Sequence, residues 1–143
     1  MILDDFTKTV CHDQCFKIYQ EAFTGLECAP KHVFDLEYYQ GTVFARFIGN
    51  QVDGFAIVAR RMGVPYIWAI AVREEMRGKG IGGDILDRIG DWAKQNREDA
   101  VELTVKTDNP AQLLYFRKGW RVVNYIGGFY GDAGDGLLMR RMI

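Results

Sequence analysis

The chain has 143 residues, of which 48% are hydrophobic and 26% are charged, and its formal net charge is −1. This composition is ordinary for a soluble globular protein with one core, and the near-neutral charge argues against a general basic surface for nucleic acid or anionic membranes. No apolar run approaches the ~20 residues of a membrane span, and the first residues lack a secretory signal pattern. We therefore expect one cytoplasmic domain over residues 1–143, with no nucleic-acid or membrane partner.

The first part of the chain predicts a strand followed by two helices. Residues 1–8 suit a short first strand, and the apolar side chains of residues 13–23 recur at helical spacing before Gly25. Pro30 is typical of a helix start, and the helix that it predicts closes at Gly41.

Three closely spaced strands are predicted next. Thr42–Ile48 alternates along its length, Gly49 and Asn50 form a turn signal, and residues 54–61 and Val64–Val72 follow. Connections this short require antiparallel pairing.

A glycine-rich segment then opens an amphipathic helix over residues 81–96. The segment consists of Arg77, Gly78, Lys79, Gly80, Ile81, Gly82 and Gly83. The N–H groups of a first helical turn lack intrahelical partners, the helix dipole adds positive potential there, and glycine lets a ligand approach the backbone. Together with two cationic side chains, these features predict a pyrophosphate site. The alternative is a loop that only caps the helix.

The second half predicts a further strand, a short helix and a strand pair. Ala100–Lys106 should lie parallel to Val64–Val72, because a strand–helix–strand unit is a crossover connection. Asn109 and Pro110 open a helix that ends at Gly119. Residues 120–126 and 136–142 then form strands around a glycine-rich loop.

This order of elements predicts an α/β (α+β) fold. We expect a mixed, mostly antiparallel sheet of six to seven strands, with helices on both faces and a central parallel strand pair. Gly78, Gly80 and Gly83 also satisfy G-x-G-x-x-G, which leaves a nucleotide-binding domain as an alternative. In that fold the glycine loop follows the first strand, so the strand order argues against it.

Residues 77–82 resemble the R/Q-x-x-G-x-G/A loop of the GCN5-related N-acetyltransferases, and the order of elements resembles that family over nearly the whole chain. The resemblance implies acetyl-CoA as cosubstrate, with its pyrophosphate on residues 77–83. It also implies that the preceding strand is bulged, parts from its parallel neighbour, and offers Ile70, Ala71 and Val72 to the pantetheine arm. A homodimer is common in this family.

Residues 109–120 resemble a second motif of that family, N-x-x-A-x-x-L-Y-x-K-x-G-F, although Ala111 stands one place early and Trp120 replaces Phe. The resemblance implies that Asn109 contacts the pantetheine arm or its neighbourhood and that Tyr115 protonates the departing CoA thiolate. A phenol with its ordinary pKa of ~10 can do this without a strong shift. The alternative for Tyr115 is an aromatic side chain packed on the apolar side of its helix.

A general base is harder to assign. Acetyltransferases of ribosomal-protein N-termini carry Glu five residues before the Asn, where this chain has Thr104. Glu102 lies two residues earlier on the same face of the strand, so it could act through a water molecule, or it could be a solvated charge. His32, Glu37 and Tyr125 are weaker candidates, and bulk water could also suffice.

The acceptor implied by the resemblance is a primary amine. Residues 129–139 resemble a loop of peptide N-terminal acetyltransferases, which favours a peptide or protein amine modestly over a small amine. Four acidic residues near the expected acceptor side would suit a cationic amine: Glu27, Asp35, Glu37 and Asp132. A non-catalytic acyl-CoA-binding or sensor module on the same fold is the alternative function.

The cysteines do not indicate a further chemistry. Cys11, Cys15 and Cys28 lie outside both motifs and are most simply reduced core thiols. Cys11, His12 and Cys15 lack a second ligand pair at zinc-site spacing, so we expect no metal.

Overall fold

The structure is a computed structural model that describes residues 1–143, except the side chain of Leu26. Its regular elements are α1 (Asp5–Ala22), α2 (Lys31–Gln40), β1 (Thr42–Ile48), β2 (Gln51–Arg61), β3 (Val64–Val72), α3 (Ile81–Gln95), β4 (Ala100–Lys106), α4 (Ala111–Arg117), β5 (Arg121–Ile126) and β6 (Gly136–Met142). Short 3-10 turns span Gly25–Glu27, Glu74–Met76 and Gly131–Ala133. Among the described residues, no helix is both long and apolar enough to cross a membrane.

The first strand predicted from residues 1–8 is wrong, because α1 begins at Asp5. The Asp4 carboxylate accepts a hydrogen bond from the Thr7 N–H at 2.8 Å, which caps the first turn. What remains of the expected strand is one bridge between Ile2 and Phe44. The N-capping aspartate was the sequence signal for the earlier helix start.

Six strands form one mixed sheet in the order β1-β2-β3-β4-β6-β5. The pair β3–β4 is parallel and the other neighbouring pairs are antiparallel, which confirms the predicted sheet. Strand β2 begins three residues earlier than the predicted residue 54, at Gln51. One core packs α3 against one face of the sheet, and a second core packs α1 and α2 against the other.

The parallel pair β3–β4 separates soon after it forms. Its ladder consists of two residue pairs, Tyr66–Glu102 and Ile67–Leu103. Beside this point, the register between β2 and β3 shifts, so that Trp68 is an extra residue on β3. The backbone of β3 beyond Trp68 therefore diverges from β4 and leaves a gap in the middle of the sheet.

A buried ion pair holds the end of β3 in place. The Arg73 guanidinium donates to the Asp53 carboxylate at 2.6 Å, and the Arg73 N–H donates to the Asp53 carbonyl at 2.7 Å. Asp53 is fully buried, so its charge depends on this partner. The pair fixes the direction in which the chain leaves β3 toward the glycine-rich segment.

Candidate active site

A cavity of about 610 Å³ occupies the gap between β3 and β4. Residues on both diverging strands line it, together with residues of α1, the segment after α1, α4 and the β5–β6 loop. This volume lies within the range of small-molecule binding sites, roughly 300–1,000 Å³. Because the cavity passes between two strands, it connects the two faces of the sheet.

The glycine-rich segment lies at the end of the cavity next to α3. Gly80 precedes α3 with φ +82°, and Gly78 has φ +76°, so both adopt a backbone conformation that favours glycine. A Cβ at either position would meet no atom within 4 Å, so the backbone conformation, and not crowding by the protein, explains these two glycines. The first turn of α3 consequently presents its N–H groups to any ligand at this mouth.

Two predicted anion-binding side chains differ in their placement. Arg77 lines the cavity, and its Nε donates to the Val72 carbonyl at 3.1 Å. Lys79 is exposed on the adjoining loop. Gly82 also lines the cavity, whereas Ile81 is 4% exposed and packs into the core below α3. The charge at this mouth thus comes from a fixed arginine, an exposed lysine and the helix terminus.

One wall of the cavity is backbone. Ile70, Ala71 and Val72 line it beyond the point where β3 and β4 part. Their pairing with β2 continues, so the backbone groups that point the other way, toward β4, have lost their ladder partners. An extended ligand arm can hydrogen-bond to such a strand edge as an added strand would.

Asn109 and Tyr115 complete the wall near α4. The Asn109 side-chain oxygen accepts from the Ala111 N–H at 2.9 Å and so supports the start of α4. Tyr115 is 8% exposed, and burial raises the pKa of its phenol to about 12. Desolvation thus places the pKa of Tyr115 above the ordinary value of a tyrosine.

Glu102 is not brought into this site. Its carboxylate accepts from Arg140 Nε at 2.7 Å, and Glu102 is not among the residues that line the cavity, which on β4 are Leu103, Thr104, Val105 and Lys106. Glu102, Thr104 and Lys106 share one face of the strand, because side chains alternate along it. Glu102, however, lies where β3 and β4 are still paired.

The carboxylate that does line the cavity is Glu27, which lies in the turn after α1. Its Oε1 is 3.2 Å from the Lys106 Nζ, and Lys106 also lies 3.7 Å from Asp108. The predicted acidic residues Asp35, Glu37 and Asp132 are not among the side chains that line the cavity. Lys106 was missed, although it follows Thr104 by two residues and so shares its face.

Two short turns, which we call the roof, pack against each other near Glu27. They are Gly25–Glu27 and Gly131–Ala133. Tyr130, which precedes the second turn, donates from its hydroxyl to the Thr104 carbonyl at 3.2 Å. Burial raises the pKa of Tyr130, and the Glu27 carboxylate adds to this shift. Five further aromatic side chains also line the cavity: Tyr19, Phe23, Tyr66, Trp68 and Phe129.

Thr104 has a direct structural partner. The Tyr66 hydroxyl donates to Thr104 Oγ1 at 2.6 Å, and Tyr66 is 5% exposed. Burial raises the pKa of Tyr66, whereas its bond to Thr104 opposes the rise. The residue at the position of the expected glutamate therefore fixes a buried tyrosine.

The three cysteines are not among the residues that line the cavity. Cys11 and Cys15 are buried free thiols in the core under α1, and Cys28 is partly buried. Within the part of the chain that the structure describes, no group of three or more His, Cys, Asp or Glu side chains is arranged to hold a metal ion.

The arrangement can hold an elongated ligand. One mouth offers helix N–H groups and Arg77 to an anion, the middle offers strand backbone and the protonated phenol of Tyr115, and the far end offers Glu27 among aromatic rings. Such a cavity suits a reaction between a phosphate-bearing carrier and a cationic second substrate.

Comparison with known proteins matches residues 12–120 to the sequence profile described as the Acetyltransferase (GNAT) family. A relative from Shouchella clausii (strain KSM-K16), L-2,4-diaminobutyric acid acetyltransferase, is 30% identical over 91 residues, which are 62% of this chain and 51% of that protein. The chain thus spans about half the length of that curated relative.

Two solved structures share the fold. The ribosomal-protein-S18-alanine N-acetyltransferase from Escherichia coli superposes with a TM-score of 0.83 at 18% identity, covering 100% of this chain and 92% of that one. A GNAT family acetyltransferase from Elizabethkingia anophelis with acetyl-CoA bound superposes with a TM-score of 0.73 at 21% identity, covering 80% of this chain and 84% of that one.

We predict that Thr104→Val destabilises the protein by about 1–3 kcal/mol, because the buried Tyr66 hydroxyl loses its acceptor. Tyr66→Phe alone should cost less stability. It leaves the Thr104 hydroxyl at the cavity wall, where its two lone pairs and rotatable proton can find water. The double variant should regain part of the loss of Thr104→Val. Urea unfolding of all four proteins measures this, and strictly additive losses would contradict a direct Tyr66–Thr104 interaction.

Proposed function

The chain belongs to the acetyltransferase (GNAT) family, and we propose that it transfers the acetyl group of acetyl-CoA directly to a primary amine in a ternary complex. The observation that carries the proposal is the cavity between β3 and β4, which has the N-terminus of α3 and Arg77 at one mouth and the Glu27 carboxylate at the other end. The two substrates would enter from opposite faces of the sheet and meet where the strands part.

In this proposal, acetyl-CoA binds along the wall formed by β3 and the start of α3. Its pyrophosphate lies on the N–H groups of the glycine segment, beside the following residues: Arg77, Gly78, Lys79, Gly80, Ile81, Gly82 and Gly83. The pantetheine arm pairs with the exposed backbone of Ile70, Ala71 and Val72 and passes Asn109. The thioester then lies next to Tyr115.

The chemistry follows from this placement. A neutral amine attacks the thioester carbonyl carbon and forms a C–N bond and an oxyanion, which backbone N–H groups can stabilise. The nitrogen then loses its extra proton to water, the intermediate collapses and the C–S bond breaks. The CoA thiolate takes a proton from Tyr115, and the resulting tyrosinate is reprotonated from solvent. The Tyr115 phenol, with its pKa raised to about 12, is a hydrogen-bond donor that stays protonated at neutral pH. The same desolvation raises the basicity of the thiolate, which reduces the mismatch between donor and acceptor.

Glu27 receives the acceptor amine in this proposal. It is the carboxylate among the side chains that line the cavity, and it can bind an ammonium and take its proton before attack. The Lys106 Nζ lies 3.2 Å from Glu27 Oε1. An ammonium that binds Glu27 would therefore take the place of the Lys106 cation. Burial raises the pKa values of Tyr66 and Tyr130 nearby, so both phenols stay protonated at neutral pH and cannot accept the proton.

The identity of the amine is an open choice between two classes. The loop of residues 129–139 resembles that of peptide N-terminal acetyltransferases, and the Escherichia coli neighbour is named for a ribosomal protein. The Shouchella clausii relative is named for a small diamino acid. Both classes supply the primary amine that Glu27 can bind. A module that only binds acyl-CoA would need neither Glu27 nor Tyr115 at the cavity.

The first test is calorimetric binding of acetyl-CoA, with NAD as comparator. We expect acetyl-CoA to bind in the micromolar range and NAD not to bind. Gly80→Val should weaken binding about tenfold or more, because a β-branched residue resists φ +82° and distorts the loop. Gly49→Val is the matched control, since Gly49 has φ +60° in the distant β1–β2 turn. Undetectable acetyl-CoA binding, or equal binding of NAD, would overturn the proposal.

Tyr115→Phe should lower kcat about 100-fold and leave acetyl-CoA affinity nearly unchanged, because it removes the proton donor alone. In the wild-type enzyme, the phenol stays protonated until the pH nears 12, so Tyr115 should cause no loss of rate between pH 7 and pH 10. Steady-state kinetics across this pH range measure both effects. Tyr125→Phe, outside the cavity, is the control, and a Tyr115→Phe variant with wild-type kcat would exclude the role.

Glu27→Gln should raise KM for the amine about tenfold or more and lower kcat, with acetyl-CoA affinity unchanged. Lys106→Met separates this effect from damage to the roof, because it breaks the same ion pair and keeps the carboxylate. We expect Lys106→Met to leave the amine KM unchanged or lower. If both variants lose activity alike, the ion pair and not the Glu27 carboxylate is what matters.

A further inference from the structure

A third cation of the cavity is not accounted for by the proposed reaction. Arg61, Arg77 and Lys106 are the arginine and lysine side chains that line the cavity. Arg77 belongs to the phosphate mouth, and Lys106 pairs with Glu27. Among the ion pairs and side-chain hydrogen bonds of the described residues, Arg61 makes none, whereas its neighbour Arg60 pairs with Glu98.

Arg61 is held in place by an aromatic ring. Its guanidinium carbon lies 4.0 Å from the centroid of the Tyr66 ring, and the Tyr66 hydroxyl is fixed by Thr104. A guanidinium stacked in this way keeps its planar fork of N–H donors free, which matches the two oxygens of a carboxylate. The contacts from Thr104 to Tyr66 and from Tyr66 to Arg61 therefore orient the Arg61 cation at the cavity wall.

The position of Arg61 separates it from the phosphate mouth. Arg61 is the last residue of β2, and it stacks on Tyr66. Tyr66 lies six residues before Val72 on β3, so Tyr66 and Val72 are ~20 Å apart along the strand. Tyr66 contacts Thr104, whose side chain shares a face of β4 with Lys106. Arg61 thus lines the cavity beside Tyr66 and Thr104, away from the phosphate mouth.

We propose that Arg61 binds a carboxylate of the acceptor, and that the acceptor is a small amino acid whose amine is acetylated. This inference rests on the proposed function. Glu27 suits the ammonium of such a molecule, Arg61 its carboxylate, and the aromatic lining between them its carbon chain. The turn that carries Glu27 packs against the turn Gly131–Ala133, which leaves less room for a protein segment beside Glu27.

The test compares amino acids with amines that lack only the carboxylate. L-Lysine is paired with cadaverine, L-ornithine with putrescine and 5-aminopentanoate with butylamine, and a tetrapeptide amide with a free N-terminus represents a protein acceptor. With wild-type enzyme, we expect at least one amino acid to have a higher kcat/KM than its partner amine and than the peptide. Arg61→Gln should lower kcat/KM for that amino acid about 10- to 100-fold and leave the partner amine within twofold.

Arg60→Gln is the matched control, since it removes the neighbouring charge and should not change the preference. The inference is overturned if the amines or the peptide are acetylated at least as well as every amino acid, or if Arg61→Gln affects both members of a pair equally. Failure to bind acetyl-CoA, or acetyl-CoA binding with no turnover of any amine, would instead overturn the proposed function.

Discussion

The separation of β3 from β4 is the constraint on which the rest of the site depends. Two residue pairs join the strands before the extra residue Trp68 redirects β3. Trp68 stacks on Tyr19 of α1 with ring centroids 5.4 Å apart, so packing on one face of the sheet stabilises the irregular strand. A sheet that stayed paired to Val72 would have no cavity. The same irregularity leaves backbone groups on β3 without ladder partners, and a ligand arm can satisfy them.

Burial then determines what each polar group in the cavity can do. Desolvation raises the pKa of Tyr66, Tyr115 and Tyr130, so these phenols act as hydrogen-bond donors at neutral pH and not as bases. In the proposed mechanism, proton removal is therefore assigned to a carboxylate, and Glu27 is the one that lines the cavity. The separation of roles follows from placement, because Tyr115 lies on α4 and Glu27 lies in the turn after α1.

Periodicity and turn chemistry predicted most of the fold, because the strands from Thr42 onward are bounded by glycine turns and the apolar stripe of α3 is strong. The start of α1 was missed, since its cap at Asp4 was read as part of a strand. The place of the glycine segment at the start of α3 was also predictable, and its role as a phosphate site stays a prediction. Glu27 was recognised only as one of four acidic residues, and Arg61 and Lys106 were not singled out. Their roles depend on contacts between elements distant in sequence, and no local pattern encodes those contacts.

Thr104 shows why the position of a catalytic carboxylate could not be carried over from a motif. A glutamate there would place the base on β4, a rigid strand in the middle of the sheet. With threonine, the strand position fixes Tyr66, and the carboxylate that we propose as the base comes from the turn Gly25–Glu27. That turn also forms half of the roof and is tied to β4 by Lys106. In the proposed mechanism, the turn Gly25–Glu27 therefore both confines the acceptor and removes the proton from its amine.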